Sequence, residues 1–265
     1  MKSLSEQVVE RAASILAGLD WTPPQCRQLA RLVALFSSLP PPPDPLDMFA
    51  RFEQLQAGLC RALAGGEADL LEESFLELYA HLHGYQAPYT RKERQAFDRA
   101  GGYWCHAGGI SPLLRAAPYL SAGAVSVDLG AGNGLQGLLL QWLYPHQLAI
   151  QVEISGAMIA CGRALQQWLG LAGERVRWVH CDLLDYHPQA CDFVYLYRPV
   201  RPLGAGADFY RRLAAGLDSQ PAAPVVFSIA DCLRPFLPAR FEVFYSDGQL
   251  TCYRRNDEGA PTPDR

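Results

Sequence analysis

Lysine is nearly absent from this chain: of its 23 basic residues only Lys2 and Lys92 are lysines, a bias that reads as coding preference and not as function. No long run of like charge occurs, and with 49% hydrophobic and 11% aromatic positions the sequence is not that of a disordered polymer. Long apolar runs are also missing. The stretch around 138–140 and its neighbours falls far below the ~20 residues that span a bilayer, so membrane spanning is not expected. Glu6, Glu10 and Arg11 interrupt the first apolar run, which the hydrophobic region of a signal peptide would not tolerate; a cytoplasmic location is expected. There is no CxxC pair. The eight cysteines are scattered over 265 residues and read as reduced, mostly buried thiols. His81-x-His83 and Cys105-His106 lack third and fourth ligands at zinc-site spacing, so no metal is expected. The formal charge of −4 disfavours nucleic-acid binding through net charge, while leaving room for a local arginine patch.

What is present divides the chain in two. Residues 1–85 read as a helical region carrying 6 basic and 11 acidic residues, a charge of −5 that leaves +1 for the rest. Ser3-Leu4-Ser5-Glu6 fits a capping box ahead of Val8, Val9, Ala12, Ile15, Leu16 and Leu19 at helical spacing. Thr22-Pro23-Pro24-Gln25 is a second start signal, with proline in the first turn where no N–H is missed. After the stiff run Pro40-Pro41-Pro42-Pro43, two more amphipathic helices are predicted over 46–63 and 69–82. Residues 86–123 read as a connector. In it Gly101-Gly102-Tyr103-Trp104-Cys105-His106-Ala107-Gly108-Gly109-Ile110, two aromatics and a histidine flanked by glycines, suits a closing segment over a ligand as well as a plain glycine-rich linker.

From residue 124 to 255 short apolar strands alternate with helices, the pattern of a parallel sheet covered on both faces. Strands are predicted at 124–129, 147–153, 176–181, 191–197 and 223–230, with helices near 134–144, 155–169 and 207–216. A hairpin is predicted around Asp247-Gly248 within 241–253, and 256–265 reads as a flexible tail.

Between the first strand and the next helix stands Val127-Asp128-Leu129-Gly130-Ala131-Gly132-Asn133-Gly134. Glycines at alternate positions let the backbone turn tightly and approach a ligand, and the helix start beyond them offers amides. The dinucleotide fingerprint GxGxxG would need a small residue at Leu135, and Asp128 suits a ligand with a cationic amino group better than a pyrophosphate. The ordered set Asp128, GxGxG, Glu153 after the second strand and Asp182 after the third resembles the class I S-adenosylmethionine-dependent methyltransferases over residues 103–253. The resemblance implies a Rossmann-like, doubly wound α/β sheet, mostly parallel with a C-terminal antiparallel hairpin. It implies S-adenosyl-L-methionine as cofactor, held by Asp128, Gly130, Ala131, Gly132, Asn133, Gly134, Glu153, Asp182 and Leu183. Within the family Glu153 would grip both ribose hydroxyls, and Asp182 would lie beside the adenine amino group.

On the acceptor side the sequence is less specific. Relatives that methylate amino groups of adenine or glutamine carry Asn or Asp followed by Pro-Pro-Tyr where this chain reads Tyr197-Arg198-Pro199, which disfavours base methylation of DNA. Tyr197, Arg198 and His106 are the candidate catalytic residues, Arg201 is a further candidate for an anionic acceptor, and Asp231 is a further candidate base, since strand and loop ends face the ligand crevice. Packing for the tyrosine and a solvated face for the arginines are equally compatible with these positions. The expected activity is methyl transfer to a small molecule, with a protein acceptor or a catalytically silent binding protein as alternatives; a nucleic-acid acceptor is disfavoured.

Overall fold

The computed structural model describes residues 3–84, 95, 109–187 and 190–256; Tyr103, Trp104 and His106 of the expected closing segment, and the tail beyond Asn256, lie outside them. Four helices come first, α1 (Leu4–Leu16), α2 (Pro23–Ser38), α3 (Phe52–Gly65) and α4 (Ala68–Leu82). The capping box of α1 forms: Glu6 N–H donates to Ser3 Oγ at 3.2 Å and Ser3 N–H to Glu6 Oε2 at 2.6 Å. At α2 the Thr22 N–H donates to Gln25 Oε1 at 3.0 Å. The third helix starts later than the apolar periodicity suggests. Asp44 explains this, because its carboxylate accepts from the N–H groups of Met48 and Phe49, both at 2.6 Å, and Asp47 turns the chain with φ +54°. An Asp side chain that bonds nearby amides competes with the helical ladder.

The remainder is a seven-stranded sheet with helices α5 (Ile110–Arg115), α6 (Leu135–Leu143), α7 (Gly156–Trp168) and α8 (Ala205–Ser219). Its strands are β1 (Val125–Leu129), β2 (Leu148–Glu153), β3 (Val176–His180), β4 (Phe193–Tyr197), β5 (Val225–Ile229), β6 (Phe241–Ser246) and β7 (Leu250–Arg255). The order is β3-β2-β1-β4-β5-β7-β6, with β7 antiparallel to both of its neighbours. This is the Rossmann-like, doubly wound sheet with a C-terminal hairpin that the sequence predicts. In the hairpin turn Asp247 Oδ1 accepts from the N–H groups of Gln249 and Leu250 at 3.0 and 2.8 Å, and Gly248 takes φ +92°.

Alternation along the strands sends side chains into two separate cores. Val127, Leu129, Ile150, Val152, Val194, Leu196 and Val226 meet Phe209, Tyr210, Leu213 and Leu217 of α8 on one face. On the other face Phe193, Tyr195 and Phe227 join α6, α7 and the apolar sides of α1 to α4 in one continuous cluster. Phe36, Phe52 and Phe75 are among its fully buried side chains, each stabilising by roughly 1.5–3 kcal/mol on burial. The chain reverses its direction of growth between β1 and β4, which opens a crevice at their carboxyl ends. Among the described residues no helix is long and apolar enough to cross a membrane.

Candidate functional site

The crevice is lined by the loop that follows β1. Gly130, Gly132 and Gly134 have φ of +80°, +60° and +70°, so three turns of the chain in five residues are left-handed. Each glycine answers to a different neighbour. An ideal Cβ on Gly130 would lie 2.9 Å from Pro199 Cβ, and one on Gly134 would lie 2.3 Å from Trp178 Cη2. Those two glycines serve packing within the fold. Among the described residues a Cβ on Gly132 would find nothing nearer than Met158 Cε at 3.9 Å, which makes Gly132 the member of the motif with space above it.

The loop spends its own amides. Gly130 and Ala131 both donate to the Val152 carbonyl, at 3.0 and 2.9 Å, Gly134 donates to Ala131 at 2.8 Å, and Leu135 N–H goes to Asn133 Oδ1 at 3.2 Å. Gly132 N–H donates to Glu153 Oε2 at 2.8 Å, while Glu153 Oε1 accepts from Ser155 N–H at 2.8 Å. A pyrophosphate cradle needs free N–H donors at this turn. A loop in which the Gly130, Ala131, Gly132 and Gly134 amides are already bonded suits a ligand recognised through carboxylates instead. Glu153 is 4% exposed, and its carboxylate stands directly beside Gly132 as an acceptor at the loop.

Asp128 sits beneath the loop, 4% exposed, in register with Gln151 of β2 and Tyr195 of β4. Its Oδ2 is buried and, among the described residues, accepts no hydrogen bond. Burial first, and then the nearby Glu153 carboxylate, push its pKa up to about 8, against the Gly137 N–H that favours the charged form. A buried carboxylate oxygen without a donor is costly, and a cationic group brought to it would remove the cost. Gly132 with its open space, Glu153 with its carboxylate beside it and Asp128 with its orphaned oxygen therefore fit a ligand that joins a diol to an amine. At the end of β3, Asp182 Oδ1 accepts from Leu184 N–H at 2.9 Å, and Leu183, 8% exposed, is one of the buried side chains of the α8-side core.

The carboxyl ends of β4 and β5 are strained. Arg198 has φ +37° and Ala230 φ +48°, and the pairing of Tyr197 with Ile229 places them side by side. Non-glycine residues in such conformations cluster at ligand sites. Tyr197 and Arg198 are half-buried here, and Arg201 is exposed three residues beyond the strained Arg198. Asp231 is a different case. Its Oδ1 accepts from Ser228 Oγ at 2.8 Å and from Leu233 N–H at 3.2 Å, and its Oδ2 accepts from the Tyr253 hydroxyl. Those bonds make it a bracket between β5 and β7, so the expectation of a base at Asp231 is withdrawn. His106 lies outside the described residues. Among the described residues no group of three or more His, Cys, Asp or Glu gathers as a metal site.

The sequence reading missed three contributors: Trp178, whose ring dictates Gly134; Pro199, whose ring dictates Gly130; and Tyr195, 3% exposed beside Asp128, whose hydroxyl also lacks a protein partner. Only Tyr195 left a trace in the sequence, since it shares the face of Tyr197 two residues away.

Comparison with known proteins gives one curated relative of use. The chain is 31% identical over 119 residues to ribosomal RNA small subunit methyltransferase G of Porphyromonas gingivalis, covering 45% of this chain and 50% of the relative. The chain thus spans about half the length of the curated relative it matches. No family model matches. Similar solved structures include an RNA methyltransferase from Salinibacter ruber with S-adenosyl-L-homocysteine, at 20% identity, TM-score 0.41, covering 63% of this chain and 91% of that one. Another is a putative rRNA-methylase from Clostridium thermocellum, at 14% identity, TM-score 0.44, covering 55% of this chain and 96% of that one. The curated relative overturns the expectation against a nucleic-acid acceptor. That expectation rested on a net charge summed over the whole chain, and a sum of −4 does not report the charge at one crevice.

Proposed function

We propose that this chain, which carries the Rossmann-like fold of the class I S-adenosylmethionine-dependent methyltransferases, transfers a methyl group from S-adenosyl-L-methionine to RNA. The observation that carries the cofactor is the orphaned Asp128 Oδ2 below a glycine loop with open space at Gly132 and the Glu153 carboxylate alongside. Asp128 would take the amino group and Glu153 the ribose hydroxyls, and the end of β3 at Asp182 and Leu183 is the place for the base. The cofactor, when bound, supplies a methyl already activated on a sulfonium. What remains for the protein is alignment and the exclusion of water.

Support for RNA as acceptor comes from what the relative is named for and from the arginines of the acceptor half. Arg198 and Arg201 stand at the carboxyl end of β4, beside the switch point, where a guanidinium can pair with phosphate through two parallel hydrogen bonds. Tyr197 precedes them at the strand end. Its place suits stacking against an unpaired base, the usual way proteins hold single-stranded RNA.

The test is incubation of the purified protein with methyl-labelled S-adenosyl-L-methionine and three acceptor pools: unmodified ribosomal RNA transcripts, protein extract and a metabolite extract. Label in the RNA is the expected result. Label confined to protein or metabolites overturns the RNA acceptor and leaves the cofactor reading in place; no binding of S-adenosyl-L-homocysteine overturns both.

A further inference from the structure

The side chain of Asn133 turns away from the crevice. It is 2% exposed, and its Nδ2 donates at 2.7 Å to the Leu82 carbonyl at the end of α4. Its Oδ1 accepts from the N–H of Leu135, the first residue of α6. A second tie runs beside it, because Tyr79 on the same helix, itself buried, donates its hydroxyl to Gln136 Oε1. Gly84 then leaves α4 with φ +67°, and an ideal Cβ there would lie 2.0 Å from Met48 Cε and 3.9 Å from Asn133 Nδ2. The chain leaving α4 is drawn against the same loop.

Both partners need this bond. The last carbonyls of a helix have no helical donor, and Leu82 finds its donor in Asn133. A loop with three left-handed glycines has more conformational freedom than other sequences, and it is anchored from the β2 side by Val152 and Glu153. Asn133 anchors it from the helical side. The apolar cluster shared by α4 and α6 gives the tie a rigid backing through Leu78, Leu82, Leu135 and Leu139.

We propose that Asn133 is a positioning residue that hangs the glycine loop from the end of α4, so that the N-terminal helical region is a working part of the cofactor pocket. Resting on the cofactor reading above, the proposal adds a coupling to it: occupancy of the loop tightens the end of α4, and loosening that end weakens the loop's hold on its ligand. Such coupling is reciprocal by thermodynamic necessity. It also gives the helical region a way to report acceptor binding to the cofactor.

The full-length protein tests it by hydrogen exchange with and without saturating S-adenosyl-L-homocysteine, together with calorimetric affinity for the same ligand. In wild type the ligand should slow exchange over 78–84, and that slowing should depend on Asn133. Asn133→Ala should weaken binding about tenfold and abolish that protection. Tyr79→Phe keeps the ring and removes the second tie, and should do the same to a smaller degree. Unchanged affinity in Asn133→Ala, or protection of 78–84 that survives it, overturns the proposal. If Asn133→Ala does not fold, wild type decides: ligand binding with no slowing over 78–84 overturns the coupling alone. Failure of wild type to bind S-adenosyl-L-homocysteine overturns the cofactor reading, and the coupling falls with it.

Discussion

At the carboxyl ends of β1 and β2 the crevice is built from backbone: three left-handed glycines, their amides bonded inward, and two buried carboxylates set around them. At the ends of β4 and β5 it is built from side chains on a strained main chain, with Arg198 and Ala230 at positive φ and Asp231 bound to Ser228 and Tyr253 inside the fold. The first half dictates residue type through space and φ, and only glycine meets those demands without strain. The second half dictates only a surface, which many side chains can supply. A cofactor common to many enzymes belongs with the first, and an acceptor particular to one enzyme belongs with the second.

Substitutions in the first half should accordingly cost most. Gly132→Val would fill the one open space in the loop and force a β-branched residue to φ +60°. Affinity for S-adenosyl-L-homocysteine should fall by about a hundredfold or more, as strain of roughly 1–3 kcal/mol adds to the lost approach. Calorimetry beside a thermal melt checks it, and wild-type affinity would show that the ligand does not approach the loop there.

Glu153→Ala comes next. It removes the acceptor for Gly132 and Ser155 amides as well as for the ligand, so both melting temperature and affinity should drop, the latter by about 10- to 100-fold on the scale of charged hydrogen bonds. Glu153→Gln keeps one acceptor oxygen and should fall between. Equal melting points and affinities for all three proteins would reduce Glu153 to a strand-end charge.

The pH dependence sharpens the same contrast. Asp128 has its pKa raised from 3.8 to about 8, chiefly by burial, so between those values the folded state holds a proton that the unfolded state has lost. Stability of the ligand-free protein should therefore fall as pH rises from about 4 to about 8, and affinity for a cationic ligand should rise over the upper part of that window as the proton leaves more easily. His83 acts in the opposite sense. Burial pulls its pKa down to about 3, and its contribution to stability is lost as pH falls below 6.5. Asp128→Asn should remove the first slope and spare the second; chemical denaturation at a series of pH values separates them. A profile unchanged by Asp128→Asn would contradict the buried-proton account.

Effects in the second half should be smallest on binding. Tyr197→Phe should leave cofactor affinity within about twofold and lower turnover less than the loop variants do, whereas Asp231→Asn should cost about 1 kcal/mol of stability through its Ser228 and Tyr253 bonds, with binding unaltered. A large loss of affinity in either would erase the division between the halves.

The same division explains what the sequence could reveal. The strand and helix pattern of the sheet region is legible because apolar residues alternate into two cores, Val127 and Leu129 facing α8 while Ser126 and Asp128 face α6. The glycine loop is legible because its geometry restricts its residues. The use of Gly134 and Gly130 for packing against Trp178 and Pro199 was not, since those partners arrive from 44 and 69 residues away along the chain. Nor was the turn of Asn133 toward α4, which needs the docking of a helix that ends 51 residues earlier. Asp231 shows the converse: a strand-end acid looks catalytic until its hydrogen bonds are known. The expectation against a nucleic-acid acceptor came from a whole-chain charge and from the departure at Tyr197-Arg198-Pro199, neither of which reports the local charge of the crevice.

The most direct measurement is calorimetric titration of the wild-type protein with S-adenosyl-L-homocysteine and, separately, with NAD. The amides already spent within the glycine loop, the orphaned Asp128 oxygen and the Glu153 carboxylate predict one-to-one binding of S-adenosyl-L-homocysteine and no response to NAD. Tight binding of NAD with no response to S-adenosyl-L-homocysteine would contradict it.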